Sequence, residues 1–520
     1  MFLKSKITFF LSSFFISLAM CFPQTLSFLS IFFLIPILFY IDKNKLDFSK
    51  KKEVIKAWLM MFVFGFLFAI FSSFWFFDTY PLDWLNGINN IFFSLVIIFS
   101  ILFIYSFIIA IPISFWILLI YKFKKENILV NAFLGASFWV LLEYFRYWFS
   151  VLSVYGNQLF WGPHYTNYSL AYSSYNIFFI KDLIPVGGIY LASFIIILIN
   201  YFIYYLLFKI NKDNKKLIIA LGIFMFVVIS SSFLYMKSLR ATGYKIVEVS
   251  VGNTYLLPGI NFISQGYREK TSFNLVSEIK NKDGIVIIPE NLNIIKPFLN
   301  SKDDSKVELI KRNNLIIGSS NFGDYFAMYF FNPQNGDVKY YPKQLLMPVG
   351  EYSISWMRFL IKLTNNKEWI DTYDNIEHFA KKGDGIFVYK DEKSGALISG
   401  GLCSENISPY IYRDETRSGA NMLLNVASHG PFHGSPLLFR QTVAINTVRA
   451  LENGRYLVTA TNKDKSFVIT DDGNVQDIST STKEYSYFNS QVKLKEYITP
   501  YVKYGDYVVL LLLGLILTLS

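Results

Sequence analysis

Ala396-Leu397-Ile398-Ser399-Gly400-Gly401-Leu402-Cys403-Ser404-Glu405 is the stretch on which the reading of this chain turns. An apolar run of strand type ends on a thiol, and a polar turn from Asn406 to Pro409 follows. A thiol at the end of a buried strand, beside glycines that let a substrate come close, is one way a nucleophile is presented. A cysteine in such a place is also often just a small buried hydrophobe. The rest of the chain has to decide. Cys21, the only other cysteine, lies in a distant apolar run, so no disulfide framework is expected.

Before residue 240 the chain is a succession of long apolar runs, at Ile7–Phe22, Gln24–Ile41, Val54–Phe77, Ile91–Tyr121, Leu129–Phe149, Leu183–Phe208 and Leu217–Tyr235. Most approach or exceed the ~18–20 residues that span a bilayer. A shorter run, Tyr507–Leu519, closes the sequence. Composition agrees: 53% of residues are hydrophobic, 19% aromatic and 17% charged. The net charge of +11 does not point to nucleic acid, because the lysines cluster between apolar runs. Lys4 and Lys6 precede the first run; Lys43, Lys45 and Lys50 to Lys52 follow the second; Lys122, Lys124 and Lys125 follow the fourth; Lys209, Lys212, Lys215 and Lys216 follow the sixth. The loops Asp78–Asn90 and Val151–Asn176 carry no Lys or Arg. By the positive-inside rule the N-terminus is cytoplasmic, the large segment after the seventh run is extracytoplasmic, and an eighth span returns the C-terminus to the inside. Leu18-Ala19-Met20-Cys21 imitates a lipoprotein processing site, but bulky Met20 and the apolar run that follows favour an uncleaved span.

Glu143 and Arg146 lie three apart near the end of the fifth run and share a helix face. They are expected either to pair with each other or to anchor a lipid headgroup, since intramembrane charge is costly. The aromatic loop Tyr155–Tyr172 suits an interfacial belt.

After Arg240 the pattern changes to short apolar strands: Lys245–Val251, Gly284–Ile288, Asn314–Ser319, Tyr325–Phe331, Ala396–Leu402, Met422–Ala427, Tyr456–Thr461 and Ser466–Thr470. Helices are expected at Lys270–Asn281 and Pro436–Asn453, the second with Ser435 as N-cap and Gly454 after its end. Strands interleaved with helices predict a layered α/β domain. The organisation expected is a transmembrane domain over 1–240, an α/β domain over 241–503 and a C-terminal span over 504–520.

Three residues at strand ends or in loops carry chemistry: Glu290 after Ile288-Pro289, Lys343 in Tyr341-Pro342-Lys343-Gln344-Leu345-Leu346-Met347-Pro348-Val349-Gly350-Glu351-Tyr352, and Cys403. A carboxylate can take a thiol proton, a thiolate can attack a carbonyl, and a lysine can stabilise thiolate and oxyanion. These segments, in this order, resemble the nitrilase superfamily, and are most similar to its membrane branch, the apolipoprotein N-acyltransferases. Arg449-Ala450-Leu451-Glu452-Asn453-Gly454-Arg455 and Ala460-Thr461-Asn462 match the family's late segment.

The resemblance implies an αββα sandwich outside the cytoplasm, carried on about eight spans of a bacterial inner membrane. It implies Glu290 as general base, Lys343 as oxyanion-stabilising lysine and Cys403 as a nucleophile that becomes an acyl thioester, with Glu351 and Glu405 as accessory glutamates. The implied reaction moves an acyl chain from a membrane phospholipid to the N-terminal amine of a diacylglyceryl-cysteine apolipoprotein, with ping-pong kinetics, no cofactor and a monomeric enzyme. A membrane-anchored amidase or nitrilase, and an inactive membrane scaffold, are the alternatives. The sequence departs from the family pattern at Ser404, where an aromatic is usual, and at His429-Gly430, where Asn-Asp is usual. Tyr155-Gly156-Asn157 is the nearest counterpart of the family's Phe-Pro-Trp.

His429 and His433 are four apart, but Gly430, Pro431 and Gly434 oppose a helix, so no metal site is expected. No G-x-S-x-G elbow accompanies Ser428 or Ser435. Tyr352–Leu363, with Trp356, Phe359 and Leu360, is either a core-facing helix or an arm dipping into the outer leaflet. Ser404, Trp356, Glu143 and Arg146 are the expected substrate contacts.

Overall fold

The strands are β1 (Lys245–Thr254), β2 (Ile285–Ile287), β3 (Leu315–Phe322), β4 (Tyr325–Phe331), β5 (Val338–Pro342), β6 (Tyr389–Lys390), β7 (Leu397–Leu402), β8 (Met422–Ser428), β9 (Tyr456–Asn462), β10 (Phe467–Ile469), β11 (Val475–Ile478) and β12 (Tyr485–Leu494). They belong to a computed structural model that describes residues 2–82, 91–256, 265–279, 284–348, 350–363, 365, 367, 370–371 and 380–520. The distal part of the expected Asp78–Asn90 loop, Val349 of the lysine motif and Lys280 and Asn281 of the expected 270–281 helix lie outside these; the observed helix is Gln265–Glu278.

Pairing builds two half-sheets. One runs β5-β4-β3-β2-β1, with β12 antiparallel along the other side of β1. The other runs β6-β7-β8-β9, continued by β10 and β11. They join at a single parallel pair, Thr254 with Asn462. Between them lies a core of Val249, Val251, Ile285, Ile287, Leu402, Val426 and Val458. Val286 of β2 and Ile288, just beyond it, face outward to a second cluster that includes Leu275 and Ile310 of helices Gln265–Glu278 and Asp304–Lys311. Leu423 and Leu457 face outward to Tyr412 and Val443 of helices Pro409–Arg417 and Pro436–Asn453. Central strands are thus buried on both faces, which is why they read as unbroken apolar runs. The layering is the expected αββα sandwich.

In the first half, the described residues contain five helices long and apolar enough to cross a membrane: Lys51–Ser72, Ser94–Lys122, Ile128–Ser153, Ile184–Phe208 and Lys215–Arg240. Two shorter apolar helices are Ile7–Cys21 and Tyr507–Leu519. The second apolar run is not one helix. It is a 3-10 turn, Ser27–Ile31, followed by a helix, Ile35–Lys43. The break is stabilised from afar: Asn200 Oδ1 accepts from Leu34 N at 2.9 Å, and its Nδ2 donates to Ser30 O at 3.0 Å.

Helix Pro436–Asn453 joins the two parts. Ser435 Oγ accepts from Leu438 N at 3.4 Å, and Gly454 ends the helix at φ +61. One face packs on the sheet, while Ala444, Val448 and Leu451 belong to the core of the apolar helices. Arg449 and Glu452, both fully buried, pair at 2.8 Å; Arg449 donates to Tyr172 Oη at 2.7 Å, and Glu452 Oε1 accepts from Ile189 N at 3.3 Å. A buried ion pair needs such additional donors and acceptors to offset its desolvation.

Candidate active site

The carboxyl ends of the parallel strands share one edge, and the expected chemistry collects there. Cys403 is the first residue beyond β7 and opens a 3-10 turn, Cys403–Ile407. Its φ is +48, left-handed for a residue with a Cβ, so the backbone turns sharply at the thiol. Sγ lies 4.0 Å from Ser428 O at the end of β8, and Asn425 Nδ2 donates to Cys403 O at 3.1 Å.

The glycines before the cysteine serve packing. A Cβ on Gly400 would stand 2.1 Å from Leu424 O of β8, and one on Gly401 would stand 2.7 Å from Glu405 Cβ. They allow β7 to lie close to its neighbours, a different task from the substrate approach expected of them.

Glu290 follows β2 and Pro289 and is 7% exposed. Burial, foremost, and the negative charge of Glu351 push its carboxyl up to about 7; Lys343 and hydrogen bonds from the Cys403 thiol and Ser428 backbone oppose them. Lys343 follows β5 and is 1% exposed. Burial disfavours its charge, but Glu351, Cys403 and Glu290 outweigh this and hold the ammonium above its ordinary value. Its Nζ donates to Glu351 Oε1 at 2.8 Å, and Glu351 Oε2 accepts from Met347 N at 2.7 Å, so the carboxylate pins the lysine to its own loop. Cys403 as a residue is only partly buried, but burial of its thiol, foremost, and then Glu290 raise the thiol's pKa, against the pull of Lys343.

Glu405 is fully buried beneath the turn. Oε2 accepts from Leu402 N at 2.7 Å; Oε1 accepts from Gln344 N at 2.7 Å, Leu345 N at 3.0 Å and Tyr341 Oη at 3.1 Å. One carboxylate thereby ties the cysteine turn to the lysine loop. Glu290, Lys343, Glu351, Cys403 and Glu405 are thus brought together, though the sequence scatters them over more than a hundred residues. The set is equipped for proton abstraction from a thiol and charge stabilisation at a carbonyl under attack. Ser404 Oγ is buried, with no hydrogen-bond partner among the described residues.

The helical part reaches the site through the 155–172 loop. His164 Nδ1 lies 2.8 Å from Ser408 Oγ, and Nε2 lies 3.0 Å from Trp161 O. The carbonyl fixes the proton on Nε2, so Nδ1 accepts from Ser408. Burial depresses this imidazole to about 4, keeping it neutral. Tyr155 O accepts from Ser355 N at 2.8 Å, which places Tyr155-Gly156-Asn157 against the lysine motif. Sequence reasoning missed His164, Asn425 and Ser408. A lone histidine in an aromatic loop carries no signal until the fold sets it against the turn after Cys403.

Glu143 and Arg146 form no ion pair with each other. Glu143 Oε1 accepts from Leu170 N at 3.0 Å, and Arg146 Nη1 donates to Asn167 O at 2.7 Å, so both hold the loop backbone. Helix Ser355–Leu363 has no buried residue, with Phe359, Leu360 and Leu363 more than half exposed, which overturns the core-facing alternative. Trp356 Nε1 donates to Ser153 O at 2.8 Å, so the helix is fastened at the end of Ile128–Ser153.

Residues 13–202 match the model of the apolipoprotein N-acyltransferase N-terminal domain, and residues 318–496 match that of carbon-nitrogen hydrolases. The chain is 28% identical over 236 residues to the apolipoprotein N-acyltransferase of Mycolicibacterium smegmatis, covering 43% of this chain and 37% of that one. It is 24% identical over 410 residues to that of Rickettsia bellii, covering 76% of each. The chain belongs to the apolipoprotein N-acyltransferase family. Family membership places its sandwich within the carbon-nitrogen hydrolase fold. The match with the Gloeobacter violaceus relative is 34% identical over 125 residues and spans 23% of either chain. Such matches cover well under two thirds of several relatives, and Glu290 lies ahead of the carbon-nitrogen hydrolase match.

Proposed function

We propose that this protein transfers an acyl chain from a membrane phospholipid to the N-terminal amine of a diacylglyceryl-cysteine apolipoprotein, by way of a thioester on Cys403. The observation that carries this is the convergence of Glu290, Lys343 and Cys403 at a sheet edge fastened to long apolar helices. Glu290 takes the thiol proton as sulfur attacks the ester carbonyl. Lys343, held by Glu351, stabilises the thiolate and the oxyanion that follows. Glu290 returns the proton to the departing glycerol oxygen, and a lysophospholipid leaves. The amine then attacks the thioester. Two substrates using one nucleophile in turn give ping-pong kinetics.

The lysine-rich loops support an inside N-terminus, eight spans and an extracytoplasmic catalytic domain over 241–503, in a bacterial inner membrane. Helix Ser355–Leu363, with its exposed apolar side chains beside the end of a candidate span, supports a contact with the outer leaflet. Intact-protein mass spectrometry after incubation with phosphatidylethanolamine tests the proposal. A hydroxylamine-sensitive acyl adduct on Cys403 is expected, absent from Cys403→Ala. No adduct on the wild type, or one that persists in Cys403→Ala, sinks it; hydrolysis of small amides without any adduct from lipid favours the amidase alternative.

A further inference from the structure

One buried pair stands on the same sheet edge and has no part in forming the thioester. His429 follows β8, and its N–H donates to Asn462 O at the end of β9 at 2.9 Å. Its side chain is buried, with Nδ1 2.9 Å from Asp464 Oδ2. A carboxylate only accepts, so Nδ1 carries a proton, and Nε2 presents a lone pair whenever the ring is neutral. No hydrogen bond to Nε2 occurs among the described residues. β7, β8 and β9 are consecutive neighbours in the sheet. Cys403, His429 and Asp464 therefore stand on successive strand ends, with neighbouring strands about 4.8 Å apart. The carbonyl beside Sγ belongs to Ser428, the residue before His429. Sγ makes no hydrogen bond to the imidazole, so the thiol proton is left to Glu290.

The turn after His429 is pinned to the helical part. Phe432 packs on Trp75 at 5.3 Å between ring centroids, and Ser435 Oγ donates to Asp78. The imidazole thus sits where the sheet edge meets the ends of the apolar helices, the side from which a membrane-anchored amine arrives.

Transfer to an amine has a proton requirement that thioester formation lacks. An α-amino group, with a pKa of about 7.7–8.0, is mostly protonated at neutral pH and must shed one proton before it can attack. It sheds a second as the tetrahedral adduct collapses. Glu290 can carry that second proton to the sulfur; the first needs another acceptor. We propose that His429, oriented by Asp464, takes it, and so acts as the acceptor-side base. This rests on the acyl-transfer function above. The ammonium gives one proton to Nε2, from which it passes to water. The nitrogen forms the new C–N bond, the C–S bond breaks with its electron pair on sulfur beside Lys343, and the remaining proton reaches sulfur through Glu290. Ammonium and thioester thereby become amide, thiol and one released proton.

The full chain in micelles containing phosphatidylethanolamine, followed by intact mass, separates the steps. Adduct formation is timed without acceptor; transfer is timed after adding a synthetic diacylglyceryl-cysteine peptide to the preformed acyl-enzyme. His429→Asn is expected to acylate within about twofold of wild type and to transfer up to about tenfold more slowly at pH 7, a ceiling set by the share of the amine already neutral there. Asp464→Asn should show a smaller loss, also confined to transfer. With hydroxylamine as acceptor, an amine already neutral at pH 7, the His429→Asn deficit should disappear. Unchanged transfer, equal slowing of both steps, or an equal deficit with hydroxylamine overturns the assignment. Wild-type protein that forms no adduct instead sinks the acyl-transfer function itself, so the two failures are distinct.

Discussion

The position of Glu290 makes a pH profile the sharpest test of the proposed first step. Its carboxyl is buried and pushed up to about 7. A base works only when deprotonated, so the raised value makes acylation fall as pH drops through 7. About a tenth of the carboxyl is ionised at pH 6, half at pH 7 and about nine tenths at pH 8, so the rate should rise roughly tenfold between pH 6 and pH 8. An ordinary glutamate, with a pKa near ~4.3, would be ionised throughout and give a flat profile over that window. The assay is single-turnover growth of the Cys403 adduct between pH 5.5 and 8.5. In Glu290→Gln the inflection should vanish and the rate should fall by ~10²–10⁴, or about 3–5 kcal/mol of barrier. A wild-type profile flat from pH 6 to 8 refutes the burial argument. An inflection that survives in Glu290→Gln assigns the base elsewhere.

Two further perturbations probe the support around that base. Glu351→Gln removes a charge that raises Glu290 and anchors Lys343; the acylation inflection should move to lower pH while the plateau rate drops about tenfold or more, and an upward move contradicts the electrostatic assignment. Glu405→Ala strips the acceptor from three backbone N–H groups and the Tyr341 hydroxyl; at about 1–3 kcal/mol for each buried donor left unpaired, a loss of at least about 4 kcal/mol is expected in thermal unfolding, and a variant as stable as wild type shows that the carboxylate does not hold the turn.

Local signals were legible because local physics produces them. Central strands such as β2 and β8 lie between two apolar layers, so they read as unbroken apolar runs, and the residues beyond them, Glu290 among them, could be placed at strand ends. Helix Pro436–Asn453 was readable to the residue because Ser435 and Gly454 cap it within the chain itself. β12 escaped notice, although it pairs with β1 over ten positions. Seven of its ten residues are at least partly exposed, and Ser486, Asn489, Gln491 and Lys493 among them interrupt the apolar ones, so its sequence shows no apolar run.

By itself, then, the sequence determined the succession of apolar runs, the basic loops between them, the α/β character of the second half, and the three residues with chemistry to offer. Those follow from composition and from neighbours a few positions apart. Only tertiary structure decided what depends on distant partners. Asn200 breaks the second run by satisfying Ser30 and Leu34. The 167–170 backbone separates Glu143 from Arg146 by bonding each of them. Asp464 fixes the ring of His429, a residue with no role expected from the sequence. In each case a buried polar group had several possible partners along the chain, and the fold supplied one.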